Sequence, residues 1–261
     1  MIHRKTEAEI EVMRESNQIV SDVHRLLMPH IKPGVRVSEL DALAEEFIRA
    51  NGALPAFKGY GSGSRAIPSF PATLCVSIDD EVVHGIPTDR ILQDGEIVSV
   101  DVGTEKNGFF GDGAITLPVG SIDAEKLRLL KVTKESLFRG IDQAVPGNHL
   151  HDISAAIQEY VEENGFSIVR DLVGHGIGKS LHEEPPVPNF GRKATGPLLA
   201  AGMTLAIEPM VNYGGFRVKI DANGWTVRTR DGAPSAHFEH TVYISKEGPV
   251  LLTNHFERDH G

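Results

Sequence analysis

Residues 94–118 read DGEIVSVDVGTEKNGFFGDGAITLP, two apolar runs on either side of Asn107-Gly108. Asn-Gly between such runs is a strong short-range hairpin signal, because both residues tolerate the positive φ that a tight turn needs. The pattern predicts strands over 96–103 and 109–118, with a further strand over 72–78 before them. Asp101 and Asp112 fall on the two arms, 112 − 101 = 11 residues apart. Across a hairpin with an even-numbered loop, residues of opposite parity share a face, so the two carboxylates converge. Asp101 stands among Ile97, Val98, Val100 and Val102, where an unpaired charge would cost several kcal/mol.

An echo of this stretch occurs further on. DGEIVSVD (94–101) parallels AGMTLAIE (201–208), which sets Glu208 where Asp101 stands in the first copy. The helices repeat too. Thr6 with Glu9 forms a capping box for a helix over 6–28, in which Ile10, Met13, Val20, Val23 and Leu27 recur near helical spacing. Ser38 is expected to cap a second helix, with Leu40, Leu43 and Phe47 as its stripe, ending at Asn51-Gly52. In the second half a helix over about 123–145 should turn Leu127, Leu130, Leu137 and Ile141 inward, and another ends at Asn164-Gly165. Aligning 33–52 with 146–165 gives six identities in twenty positions, among them both Pro-Gly and both Asn-Gly pairs. Helices before strands in each half predict an α+β fold, one curved sheet with helices on one face. The chain of 261 residues reads as a single domain, with half-repeats over about 6–120 and 121–250.

Composition narrows the function. With 40% hydrophobic and 24% charged residues the chain can bury a core, and nothing in it marks disorder. Asp+Glu 36 against Lys+Arg 26 gives −10, which opposes attraction to DNA or anionic lipid. No apolar run approaches membrane length, and MIHRKTEAEIEVMRES is charged where a signal peptide would be apolar, so the cytoplasm is expected. Cys75 is the only cysteine, which excludes an internal disulfide and a thiolate zinc knuckle. A metal here has to sit on His, Asp and Glu.

Such residues are available. Glu208 is embedded in LAIEPM (205–210), and Glu239 falls in the alternating strand AHFEHTVYI (236–244). His175 stands in the loop GHGIG (174–178), whose glycines let backbone approach a site closely, and His182 follows. Asp101, Asp112, His175, Glu208 and Glu239 together offer four carboxylates and one imidazole, a hard set suited to two divalent cations that share carboxylates. Two cations roughly 3.5 to 4 Å apart lower the pKa of a shared water from 15.7 toward about 7.

Across nearly the whole chain, VVHGIP (82–87), VDVG with GFFGDGA (100–103 and 108–114), GHGIGKSLHEEPPVPN (174–189), GMTLAIEPM (202–210) and SAHFEHTV (235–242) resemble the type I methionine aminopeptidases, of the pita-bread fold. The resemblance implies a curved antiparallel sheet covered by helices in two pseudo-twofold halves. It implies that Asp101 chelates one cation, that His175 and Glu208 hold the other, and that Asp112 and Glu239 bridge, with Co, Mn, Fe, Zn or Ni as candidate metals. By similarity His84 lies near the substrate amine and scissile amide, and His182 bonds the scissile carbonyl. Phe57, Tyr60, Phe70, Cys75, Leu181 and Trp225 would line a pocket for the methionine side chain, types that suit a thioether. The implied reaction is metal-assisted hydrolysis of the bond after an initiator methionine, with Glu208 relaying a proton to the leaving amine and a small second residue preferred. The implied partners are nascent polypeptide N-termini, whether or not at the ribosome, and the enzyme should be monomeric. A proline-directed aminopeptidase of the same fold and a non-catalytic binding protein are the rival readings. The chain departs from the usual family pattern in a long loop at 61–70, at Gly103 and Gly113 where hydroxyl residues are common, at Val83 where cysteine is frequent, and at Leu181 where an aromatic is frequent.

Overall fold

Thr6 starts the first helix as its capping box requires: the hydroxyl accepts the Glu9 N–H and the Glu9 carboxylate accepts the Thr6 N–H. This helix, α1 (Glu7–Leu27), buries Ile10, Met13, Val20, Val23 and Leu27. In the computed structural model, which describes residues 2–61 and 68–259, a 3-10 turn at Met28–His30 then leads to α2 (Val37–Ala50). Most of the long loop at 61–70 lies outside the described residues. Ser38 does not cap α2. The Val37 and Ser38 N–H groups are already taken by the Arg90 and Thr88 carbonyls, and the Ser38 hydroxyl donates to Asp89 at 2.8 Å instead.

The strands of the first half are β1 (Leu54–Pro55), β2 (Leu74–Ile78), β3 (Glu81–Val83), β4 (Ile97–Lys106) and β5 (Phe109–Pro118). β4 and β5 form the expected antiparallel hairpin, with Asn107 and Gly108 at φ 54° and 77° in its turn. Asp101 pairs with Ala114 and Asp112 with Gly103, so the two carboxylates sit on one face, diagonal neighbours. β1 and β2 pair with β4 on its other edge. α1 crosses the hairpin closely because Gly111 has no Cβ: one built there would lie 2.8 Å from the Asn17 amide nitrogen.

The second half opens with α3 (Ala124–Ile141), capped by Asp123, and α4 (Leu150–Glu163). Leu130, Leu137 and Ile141 point inward, but Leu127 is 44% exposed. It shares its side of α3 with Lys131 and Lys134, and Leu129 fills the inward position in its place. The strands that follow are β6 (Ser167–Ile168), β7 (Gly174–Gly176), β8 (Glu183–Val187), β9 (Thr204–Ile207), β10 (Met210–Asn212), β11 (Val218–Ile220), β12 (Val227–Thr229), β13 (Ser235–His237), β14 (His240–Ile244) and β15 (Pro249–Leu251).

The curved surface is built from four antiparallel ladders rather than one continuous sheet: β1-β4-β2 with β5 on β4, β13-β10-β6, β11-β12-β3, and β15-β14-β9-β7-β8. The expected strand over 236–244 is therefore two strands. β13 pairs with β10 and β14 with β9, and the chain changes ladder at Phe238-Glu239. Directly opposite, Glu208-Pro209 makes the same change between β9 and β10, so Glu208 stands just past its strand rather than within it as Asp101 does. His175 likewise lies in a short strand, β7, not in a loop.

One apolar cluster joins α1 and α2 to β2 and β4 through Leu40, Ile48, Leu74 and Val100. A second joins α3 and α4 to β9 and β14 through Leu129, Ile153, Leu205 and Val242. Each buried aliphatic side chain contributes roughly 1.5–3 kcal/mol. The halves meet where Thr241 of β14 clamps Asp112 of β5: its hydroxyl oxygen accepts the Asp112 N–H at 3.2 Å and donates to the Asp112 carbonyl at 2.8 Å. No helix among the described residues is long and apolar enough to cross a membrane.

Candidate metal centre and active site

The fold brings every site residue expected from the sequence to one cavity of about 380 Å³. At its floor Asp112, His175 and Glu239 each offer a ligand atom, all within 4.8 Å of one another. His175 Nε2 lies 3.8 Å from Asp112 Oδ2 and 3.6 Å from Glu208 Oε1. Its other nitrogen, Nδ1, faces the Gly176 carbonyl at 2.9 Å. Donation there places the proton on Nδ1 and turns the Nε2 lone pair toward the carboxylates, an arrangement common to metal-binding imidazoles. Asp101 completes the group from the middle of β4.

The ladder changes explain how acids reach this floor. Glu239 is buried at the crossing between β13 and β14, and its N–H donates to the Ala114 carbonyl at 2.9 Å, which ties it to the strand that carries Asp112. Asp101 Oδ1 and Glu239 Oε1 are buried with no hydrogen-bond partner. Among the described residues that line the cavity there is no lysine or arginine. Burial and the neighbouring negative charges therefore act on the acids together. Burial pushes Asp101 up to about 7 and Glu208 up to about 8, and it raises Asp112 and Glu239 well above the carboxylate range. Burial also keeps His175 neutral by pushing it down to about 3. Four acids, two of them with an orphaned oxygen, one oriented imidazole and no fixed cation among the described lining residues make a donor set that fits divalent metal.

His84 follows β3 with φ at 58°, a left-handed conformation that histidine adopts more readily than most residues. Gly85 holds it there, since the Val76 carbonyl occupies the space a Cβ would take, and Gly85 N–H donates to Ser77 Oγ at 3.0 Å. Burial pushes His84 down to about 4 and lowers His182 as well, so both rings are neutral near pH 7. His182 Nδ1 meets the Tyr60 hydroxyl at 2.7 Å, and its ring stands 4.2 Å from that of His175.

Phe57, Phe70, Cys75 and Leu181 pack with Ile10, Met13 and Ile177 into an apolar wall beside the metal residues. Phe70 meets Trp225 edge-on at 5.3 Å, while Tyr60 stands 41% exposed. Burial raises the Cys75 thiol, so it is protonated and behaves as part of this wall. The two glycines that depart from the family pattern are filled from elsewhere. A Cβ on Gly103 would lie 2.6 Å from Phe57 Cε1, and one on Gly113 would lie 2.9 Å from His255 Cε1.

Sequence reasoning missed Asp171, Leu172, Val173 and Met210, which also line the cavity with Val83, and His237, whose Nε2 lies 3.4 Å from Glu208. Asp171–Val173 directly precede the GHGIG segment, and His237 stands two residues before Glu239, a proximity in sequence that could have flagged it.

The sequence profile described as metallopeptidase family M24 matches residues 11–246. The chain is 52% identical over 254 residues to the methionine aminopeptidase of Clostridium acetobutylicum, covering 97% of this chain and 99% of that one. It is 50% identical over 253 residues to methionine aminopeptidase 1 of Bacillus subtilis, covering 97% and 99%. Among solved structures, the crystal structure of methionine aminopeptidase from Thermotoga maritima is similar at a TM-score of 0.93 and 44% identity, covering 97% of this chain and 99% of that one.

Proposed function

Because the chain belongs to metallopeptidase family M24, with methionine aminopeptidases as relatives over nearly its whole length, we propose that it hydrolyses the N-terminal methionine from nascent proteins and peptides, preferring a small second residue. The observation that carries this reading is the convergence of Asp101, Asp112, His175, Glu208 and Glu239 on one cavity floor beside an apolar wall. In it Asp101 would hold one divalent cation and His175 and Glu208 a second, with Asp112 and Glu239 shared between them, and Co, Mn, Fe, Zn or Ni would serve. When bound, such a pair supplies Lewis acidity and an acidified water. The whole chain serves as one catalytic domain of two half-repeats, about 6–120 and 121–250. The echo of residues 94–101 in 201–208 and the helix pair that precedes the site strands in each half support that division.

The chain's own groups supply the rest. Held as a carboxylate by a bound cation, Glu208 would accept a proton from the attacking water and pass it to the leaving amine. With the Tyr60 hydroxyl donating to Nδ1, His182 keeps its proton on Nε2, so a neutral ring donates to the scissile carbonyl as charge develops there. His84, also neutral, sits across the cavity to meet the substrate amine and amide. The apolar wall takes the methionine side chain, whose burial contributes roughly 1.5–3 kcal/mol of binding. Release of free methionine from Met-Ala-Ser by metal-supplemented protein, abolished by EDTA, is the expected result. An inert protein with confirmed metal occupancy would sink the reading.

A further inference from the structure

Glu208 has two duties in the proposed reaction, and both need its carboxylate held in one orientation. Its two oxygens have different neighbours. Oε1 lies 3.6 Å from His175 Nε2, toward the cavity floor. Oε2 lies 3.4 Å from Nε2 of His237, a residue only 1% exposed. That His237 nitrogen is buried and makes no hydrogen bond elsewhere, which costs about 1–3 kcal/mol unless a partner is supplied. Hydrogen bonds at such sites are often long before ligands are bound and tighten in the working complex.

The main chain of His237 is fixed on both sides. Its N–H donates to Thr116 Oγ1 at 2.8 Å, and its carbonyl accepts from the Thr116 hydroxyl at 2.7 Å. Thr116 Oγ1 also lies 2.8 Å from Ser99 Oγ, its cross-strand partner. The hairpin that carries Asp101 and Asp112 therefore also sets the height of the His237 ring against Glu208. On the other side, β10, which follows Glu208, pairs His237 with Met210.

We propose that His237 is a positioning residue for Glu208: its Nε2–H holds Oε2, leaving Oε1 to face the metal site and the attacking water. This rests on the function proposed above for Glu208. Partners of this kind typically change metal affinity or activity by about 10–100-fold when removed.

The test compares His237→Leu, which removes the donor, with His237→Gln, whose amide can restore it. For His237→Leu, kcat on Met-Ala-Ser should fall about 10–100-fold, with KM changed less than about threefold and Mn(II) affinity by calorimetry weakened up to about 100-fold. His237→Gln should recover kcat and affinity to within about fivefold of the unmutated protein, within the spread of such effects. Unchanged kcat and affinity in His237→Leu, or a His237→Gln as impaired as His237→Leu, would overturn the proposal. A measurement on the unmutated protein guards against variants that fail to fold. In its 15N-histidine spectrum, adding Zn(II) should give His175 Nε2 the shift of a metal-bound nitrogen while His237 Nε2 stays protonated, and coordination of His237 would overturn the proposal. Inactivity of the unmutated protein on Met-Ala-Ser would count against the proposed function, whereas the calorimetric and spectroscopic arms still judge His237 by itself.

Discussion

Replacing Lys5 by methionine removes a buried cation and leaves its partner behind. Lys5 Nζ stands 2.6 Å from Glu183 Oε2, with the side chains 4% and 13% exposed. The other Glu183 oxygen accepts the N–H groups of Lys179 and Ser180, closing the turn that delivers Leu181 and His182 to the cavity. The Lys5 stem fills the space beside Gly178 that a Cβ would occupy. Breaking a buried pair from one side costs about 3–5 kcal/mol, and because Glu183 keeps two N–H donors the lower end, about 3 kcal/mol, applies. At about 2–4 °C per kcal/mol for a chain of this size, the melting temperature should fall by about 6–12 °C in calorimetry at pH 7. The double variant Lys5→Met with Glu183→Gln should recover most of that loss, since the amide oxygen still accepts both N–H groups and no charge is stranded. Burial raises the Glu183 carboxyl, but the Lys5 ion pair and the two N–H groups outweigh it and hold the carboxyl below its ordinary 4.5. A carboxyl lowered on folding stabilises above its unfolded pKa and loses that contribution as pH falls through the folded one, so the gap between unmutated and Lys5→Met protein should narrow below pH 4.5. A single variant melting within about 2 °C of the unmutated protein, or a double variant no better than the single, would refute this account.

Metal should raise the melting temperature of EDTA-treated protein by about 5–11 °C at a hundredfold excess over Kd, equivalent to about 2.7 kcal/mol, and the rise should be much smaller in Asp112→Asn. Asp101 and Glu208, raised to about 7 and about 8, favour folding while protonated and lose that advantage as pH climbs through those values. The metal-free protein should therefore melt lower at pH 8.5 than at pH 5.5, and a melting point that rises over this range would contradict the grouping of the acids. His84→Ala and His182→Ala should retain both metals by elemental analysis yet lose catalysis, since neither is assigned as a ligand. Met-Gly, Met-Ala and Met-Ser peptides should be cut and Met-Lys or Met-Phe peptides barely touched, which comparable rates on Met-Ala-Ser and Met-Phe-Ser would disprove. Gly103→Ala drives a methyl into Phe57 and should cost about 1–3 kcal/mol of stability by overpacking, with KM for methionine peptides rising as the ring is displaced.

The local elements were legible because their causes are local. The Thr6–Glu9 box, the Asn107-Gly108 turn and the parity of Asp101 and Asp112 each depend on a few consecutive residues, and each stands in the structure as the sequence implies. Ser38 was misread because its helix start is satisfied by carbonyls of Thr88 and Arg90, fifty residues away in sequence. Leu127 was misread because an apolar residue in a helix's first turn can continue the polar side rather than the stripe.

The five candidate metal-site residues were legible in the sequence, since acids placed in apolar strands have few uses that repay their desolvation. Their convergence was decided only by the tertiary structure. Glu208 and Glu239 reach the floor because β9–β10 and β13–β14 both change ladder at the same level, a register between strands thirty residues apart that no local pattern encodes. His237 escaped notice for the same reason: its significance lies in a contact with Glu208 across two ladders, fixed by Thr116 from the other half of the chain. Side-chain chemistry can be read from composition and spacing, but which buried groups share one cavity is a property of long-range packing.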